Sequence, residues 1–121
     1  MLENQFRLNK HSRSQRVLIV KFSAYFEQNP IGEAFPEFSL RLWPESKHRL
    51  PTLDIAVFLN ENLREIGKYA TRAPDLTIEI ASDDDRASAI FAKARLYLEK
   101  GGKAVWIVFP RKINLAVVFF H

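Results

Sequence analysis

Two carboxylates and one lysine in this chain have the types and order needed for phosphodiester chemistry. In the run Leu53 to Leu59, alternation sets Leu53, Ile55, Val57 and Leu59 on one side of a strand and Asp54 on the other. The run Asp75 to Ala81 repeats the arrangement, with Leu76, Ile78 and Ile80 on one side and Glu79 opposite. An ionised carboxylate inside a mostly buried strand is costly unless a cation pairs with it, and a metal ion is one such partner. Mg²⁺ suits two hard oxygen ligands while keeping several waters, and a bound water becomes a better nucleophile as its pKa falls. Further along, Arg86, Ile90, Lys93 and Tyr97 are spaced by four, three and four residues, bordered by Phe91, Ala94 and Leu98. They form one helical stripe, which sets Lys93 on the side that packs toward the sheet, from where it could snorkel to water or equally reach the carboxylates. There it could orient a water or stabilise charge growing on an attacked phosphate.

The elements that must position these residues follow from the pattern around them. Ser12 with Gln15 three residues later reads as a capping box that opens a helix, and Val17, Leu18, Phe22, Tyr25 and Phe26 continue it. Asn29, Pro30 and Gly32 close that helix. A strand follows, with Phe38, Leu40 and Leu42 on one face and Glu37, Ser39 and Arg41 on the other, and Pro36 marks it as an edge strand or a bulged one. Next come the Asp54 strand, a polar stretch from Asn60 to Pro74 with room for a helical turn, and the Glu79 strand. Ser82, Asp83, Asp84 and Asp85 are N-cap candidates for a helix from about Arg86 to Lys100, ended by Gly101 and Gly102. Ala104 to Phe109 and Asn114 to Phe120 are strand-like. The order predicts a mixed α/β layer structure.

Composition narrows the function classes. The chain has 121 residues and 47% hydrophobic content, enough for one core, so a single domain over 1–121 is expected. Without cysteine there is no disulfide framework or thiolate zinc site. No apolar run approaches the roughly 20 residues needed to span a bilayer, and Met1 to Lys10 lack a signal-like apolar region, so a cytoplasmic protein off the membrane is expected. A formal charge of +4 leans weakly toward an anionic partner. The apolar run Leu115 to Phe120 reads as an edge strand open to pairing with a second copy, which predicts a homodimer.

Taken together, Leu53-Asp54, the stretch Ala73 to Ser82, then Lys93, Tyr97, Gly101, Val105-Trp106-Ile107-Val108 and Pro110 resemble the Uma-two family of restriction-endonuclease-like proteins, within the PD-(D/E)XK nuclease superfamily. The resemblance covers about residues 10 to 118 and rests on the order and spacing of motifs, none specific by itself. It implies a restriction-endonuclease-like αβββαβ core, with a mixed sheet flanked by helices. It also implies a metal-dependent DNA endonuclease that leaves a 5′-phosphate and a 3′-hydroxyl. Asp54 and Glu79 would be the ligands of Mg²⁺, or of Mn²⁺ as a substitute, helped by the Ile80 carbonyl. The lysine usually found two residues after the glutamate is missing, since Ala81 stands there, and Lys93 matches the helix lysine thought to replace it. Ser82, Tyr97 and Trp106 match positions better suited to packing or hydrogen bonding, Glu37 is a candidate extra ligand, and His11 matches a histidine near the start of the first helix.

Other readings of the same residues stay open. Asp54 and Glu79 could be solvated on an open sheet face. Asp83, Asp84 and Asp85 are explained by capping and the helix dipole rather than as ligands. Arg13, Arg16 and Lys47 could hold a nucleic-acid backbone without reading sequence, and Trp43 could stack on a base or pack on the sheet. His48 and His121 have no visible partner. The chain is shorter than the family pattern at both ends, which keeps a second function in view: a catalytically inactive nuclease-fold module that binds DNA or self-associates.

Overall fold

The computed structural model describes residues 2–40, 52–64, 66, 72–82, 84–110 and 114–119, and side chains within them except in 2–10 and 114–119. Arg41, Leu42, Trp43, Lys47, His48, Asp83 and His121 lie outside the described residues. The elements run α1 (Leu2–Gln28), β1 (Gly32–Ser39), β2 (Thr52–Leu59), α2 (Asn60–Leu63), β3 (Leu76–Ile80), α3 (Ala87–Glu99), β4 (Ala104–Phe109) and β5 (Asn114–Phe119). The strands form one mixed sheet in the order β1-β2-β3-β4-β5. All neighbours are antiparallel except β3 and β4, which α3 joins as a parallel crossover. This is the mixed sheet flanked by helices that the sequence predicts.

Both faces of the sheet are covered, so its central strands read as nearly continuous apolar runs rather than clean alternations. On one face Ile55, Val57 and Ile78 pack with Leu18, Ile19, Phe22 and Phe26 of α1. On the other, Ala56, Phe58, Val105 and Ile107 pack with Ala94, Tyr97 and Leu98 of α3. Leu53 joins the α3 side rather than the side of Ile55 and Val57. The simple alternation expected for β2 therefore slips at Leu53 and Asp54.

Two helix starts differ from the sequence reading. Helix α1 begins at Leu2, ten residues before Ser12, so Ser12 and Gln15 are interior residues rather than a capping box. At α3 the N-cap is Arg86 and makes no side-chain cap bond. Asp85 instead accepts the Ser82 N–H at 2.8 Å, closing a turn just before the helix. The end of α3 is as expected: Gly101 takes φ 109°. The Gly102 N–H reaches the Tyr97 carbonyl at 2.9 Å and the Gly101 N–H the Leu98 carbonyl at 3.3 Å, a Schellman close.

Asp75 fastens the start of β3 to the end of β2. Its carboxylate is 4% exposed, accepts the Leu59 N–H at 2.8 Å and the Asn62 amide at 2.7 Å, and lies 3.9 Å from Arg72 and 3.7 Å from Lys103. Arg72 in turn donates to Asn62 at 2.8 Å and to the Gly101 carbonyl at 2.9 Å, tying in the end of α3. Removing a hydrogen-bonded buried carboxylate strands its donors, so Asp75→Ala is expected to cost about 3 kcal/mol. Urea unfolding at neutral pH measures it, and a loss within the range of ordinary surface changes would remove Asp75 from the list of fold-defining residues.

Candidate active site

Asp54 sits where the sheet comes apart. The β2–β3 register runs Val57↔Leu76, Ala56↔Thr77, Ile55↔Ile78 and stops, and one further step would set Asp54 opposite Glu79. On its other side, β1 pairs Pro36↔Ile55 and Phe38↔Leu53 but skips Glu37↔Asp54. Glu37 there takes φ 48°, a left-handed conformation costly for a residue with a Cβ. Asp54 fills the resulting gap with bonds of its own. Its Oδ2 accepts the Ile80 N–H at 2.7 Å, its Oδ1 lies 3.2 Å from Nε2 of His11, and its main-chain carbonyl accepts the Gln15 side-chain amide at 2.9 Å.

Glu79 is the strained member of the site. Burial pushes its carboxyl up to about 8, the charge and hydrogen bond of Asp54 and the charge of Asp85 push the same way, and the Lys93 ammonium opposes them. Two carboxylates this close share a proton rather than both ionise, unless a cation stands between them. Glu79 Oε1 is buried and makes no hydrogen bond. Tyr97, held by the end of α3 and 2% exposed, lies near both: burial first, then the charges of Glu79 and Asp54, pushes its hydroxyl up.

The structure thus brings Asp54, Glu79 and Lys93 together, with one adjustment. Lys93 does not lie under α3. The buried stripe of that helix is Ala94, Tyr97 and Leu98, flanked by Ile90, and Lys93 is exposed beside it. Its ammonium nonetheless acts on Glu79 from that edge. Glu37 is exposed at the position where the β1–β2 register skips Asp54, and it is not among the charges felt by Glu79. Trp106 packs on the opposite face, 5.8 Å from the Phe22 ring, and has no part in the site. Arg13 and Arg16 are exposed, and the helical phase of α1 turns Arg13 away from the face carrying His11 and Gln15.

The family resemblance marked His11 as a histidine near the start of the first helix without giving it a partner, and Gln15 was read only as a cap. Their spacing of four residues places both on one face of α1, where they meet Asp54. As for a metal, hard oxygen donors in a part-buried gap suit a small divalent cation. The partnerless Glu79 Oε1 beside Asp54 is the feature that fits one. Among the described residues no group of three or more His, Cys, Asp or Glu is placed to hold an ion, so these two carboxylates and water would have to suffice. No helix among the described residues is long and apolar enough to cross a membrane.

The raised Glu79 carboxyl makes stability depend on pH. Above its ordinary value of 4.5 the unfolded chain releases this proton, while the folded chain keeps it until about pH 8. The folded state then binds more protons, so without divalent ions stability falls as pH rises through that window and levels off above it. Glu79→Gln cannot ionise and should flatten most of this fall. Urea unfolding at several pH values between 5 and 8.5 measures both proteins, and equal slopes would mean that Glu79 ionises normally in the fold.

The fold is shared with a solved structure. A crystal structure titled a "putative nuclease belonging to DUF820" from Anabaena variabilis superposes with a TM-score of 0.78 at 24% sequence identity. The match covers 91% of this chain and 62% of that one, so the present chain spans about six-tenths of its length. No curated protein matches the chain. Residues 5–119 match the family Uma2, described as "Putative restriction endonuclease", which is nearly the whole sequence. With that match over nearly the whole sequence, the chain belongs to the Uma2 family.

Proposed function

We propose that this chain is a metal-dependent nuclease that hydrolyses phosphodiester bonds in DNA, with Asp54, Glu79 and Lys93 as its working residues. The observation that carries the reading is the Asp54–Glu79 pair at the split between β2 and β3, with a buried, partnerless carboxylate oxygen and an ammonium at its rim. Asp54 and Glu79 would hold the ion, Mg²⁺ or Mn²⁺, and its chemistry when bound is to activate water and offset phosphate charge.

The chain's own groups divide the remaining work. The Ile80 N–H and His11 fix the Asp54 carboxylate, so that it need not reorient as charge develops. Glu79 must give up its proton to serve as an anion, which ties activity to alkaline pH or to a cation that displaces that proton. Lys93, exposed at the rim of the pair, stabilises negative charge building on the attacked phosphate. Tyr97 backs Glu79 from the core. In-line attack then leaves a 5′-phosphate and a 3′-hydroxyl. One observation favours a different reading, an inactive nuclease-fold module: no third acidic or histidine ligand joins the pair among the described residues.

Incubating the purified protein with plasmid and with single-stranded DNA in Mg²⁺ or Mn²⁺ separates the two. Under the nuclease reading Glu79→Gln and Asp54→Asn lose cleavage by about 1,000-fold and Lys93→Met by about 100-fold, and chelator abolishes it. Cleavage that is absent in the wild type, or equal in the Glu79→Gln control, leaves the inactive module standing.

A further inference from the structure

The residue at this site that neither the family resemblance nor the charge pattern singles out is Gln15. Asp54 has lost regular pairing on both sides: the β2–β3 register ends one step before it, and the β1–β2 register skips it at Glu37. Its carboxylate has taken over the Ile80 N–H, so the strand can no longer be held there by its ladder. A part-buried carbonyl left without a donor would turn to find one, and the Cβ on the same residue would swing with it. What prevents this is one side chain from 39 residues earlier, the Gln15 amide at 2.9 Å from the Asp54 carbonyl.

We infer that Gln15 is a positioning residue: by holding the main chain of Asp54 out of a regular ladder, it aims the Asp54 carboxylate at Ile80 and Glu79. The placement of Gln15 supports a specific role. It stands mid-way along α1, in a helix whose neighbouring inward residues Leu18, Ile19, Phe22 and Phe26 are all apolar. A polar side chain at the head of that apolar face has one evident use, the bond it makes. One turn earlier His11 touches the carboxylate itself, so α1 meets Asp54 at two points, main chain and side chain. Helix α1 thereby sets the direction of a group that lies on another element. The consequence for catalysis rests on the nuclease reading above; the positioning itself does not.

The test separates those two. The Ile80 amide reports directly on the Asp54 carboxylate, while the Leu59 amide, held by Asp75 at the other end of the same two strands, reports on the strands in general. Gln15→Met keeps length and helix preference but removes the donor; Gln15→Lys restores a donor of similar reach. Hydrogen exchange followed by NMR should show the Ile80 amide exchanging about tenfold faster in Gln15→Met, Leu59 within about twofold of the wild type, and Gln15→Lys close to the wild type at both. Turnover on DNA should fall about tenfold in Gln15→Met with little change in KM, since a slightly misdirected group costs rate more than binding. If Gln15→Met proves poorly folded, Gln15→Ala reads the same two amides. An unchanged Ile80 amide, or Ile80 and Leu59 accelerating together, overturns the inference. A wild type without cleavage but with the expected exchange pattern overturns the nuclease reading and leaves Gln15 as the residue that sets Asp54.

Discussion

The burial of two neighbouring carboxylates in one gap of the sheet is the constraint around which this site is arranged. Asp54 and Glu79 face each other across β2 and β3, and burial first, then the charge of Asp54, keeps a proton on Glu79 near neutral pH. A sheet built for stability alone would place a hydrophobic pair there. Instead the ladder stops, His11 and Gln15 reach in from one side, Tyr97 closes the other, and Lys93 stands at the rim. Each of these serves a pair that the hydrophobic core could not tolerate unassisted.

The same two strands show how context divides the labour of aspartates. At one end Asp75 on β3 takes the Leu59 N–H of β2; at the other, Asp54 on β2 takes the Ile80 N–H of β3. Each strand is closed off by a carboxylate from its partner. Asp75 is saturated, with Asn62, Arg72 and Lys103 gathered on it. Asp54 has a histidine and a protonated glutamate beside it. One end is a structural knot, and the other leaves a buried Glu79 carboxylate oxygen without a hydrogen bond. Chemistry separates the two, because the backbone role is the same.

Much of this was legible in the sequence, and the misses have physical reasons. Apolar periodicity located β2 to β5 and α3 but only the last residues of β1, which begins at Gly32 where the helix was read to close, and the Asp54 and Glu79 carboxylates stood out because their neighbours were so apolar. Helix α1 was begun ten residues late because Ser12 and Gln15 fit a local capping pattern, whereas the Gln15 amide is spent on a partner 39 residues away. Local pattern cannot reveal a long-range bond. The acidic run before α3 looked like a cap for similar reasons, but Asp85 serves a turn. Leu53 changed sides because a strand that loses pairing on both flanks also loses its strict alternation. Lys93 came out at the helix edge because the bulk of Tyr97 and Leu98 decides which way α3 rolls.

The kink in β1 reaches beyond the site. Among the described residues, β1 is an outer strand of the sheet, and outer strands are templates on which other chains can assemble. Pro36 has no N–H to offer a newcomer, and Glu37 next to it combines a charge with a backbone turned out of the extended form. A foreign strand docking there would meet a missing donor, a negative charge and a broken pleat in succession. The turned-out backbone at Glu37, where β1 skips Asp54, with Pro36 beside it, therefore also guards this margin against edge-to-edge pairing. Straightening β1 to make a more regular sheet would remove both protections at once, giving a protein that is less able to organise its carboxylates and more prone to aggregate.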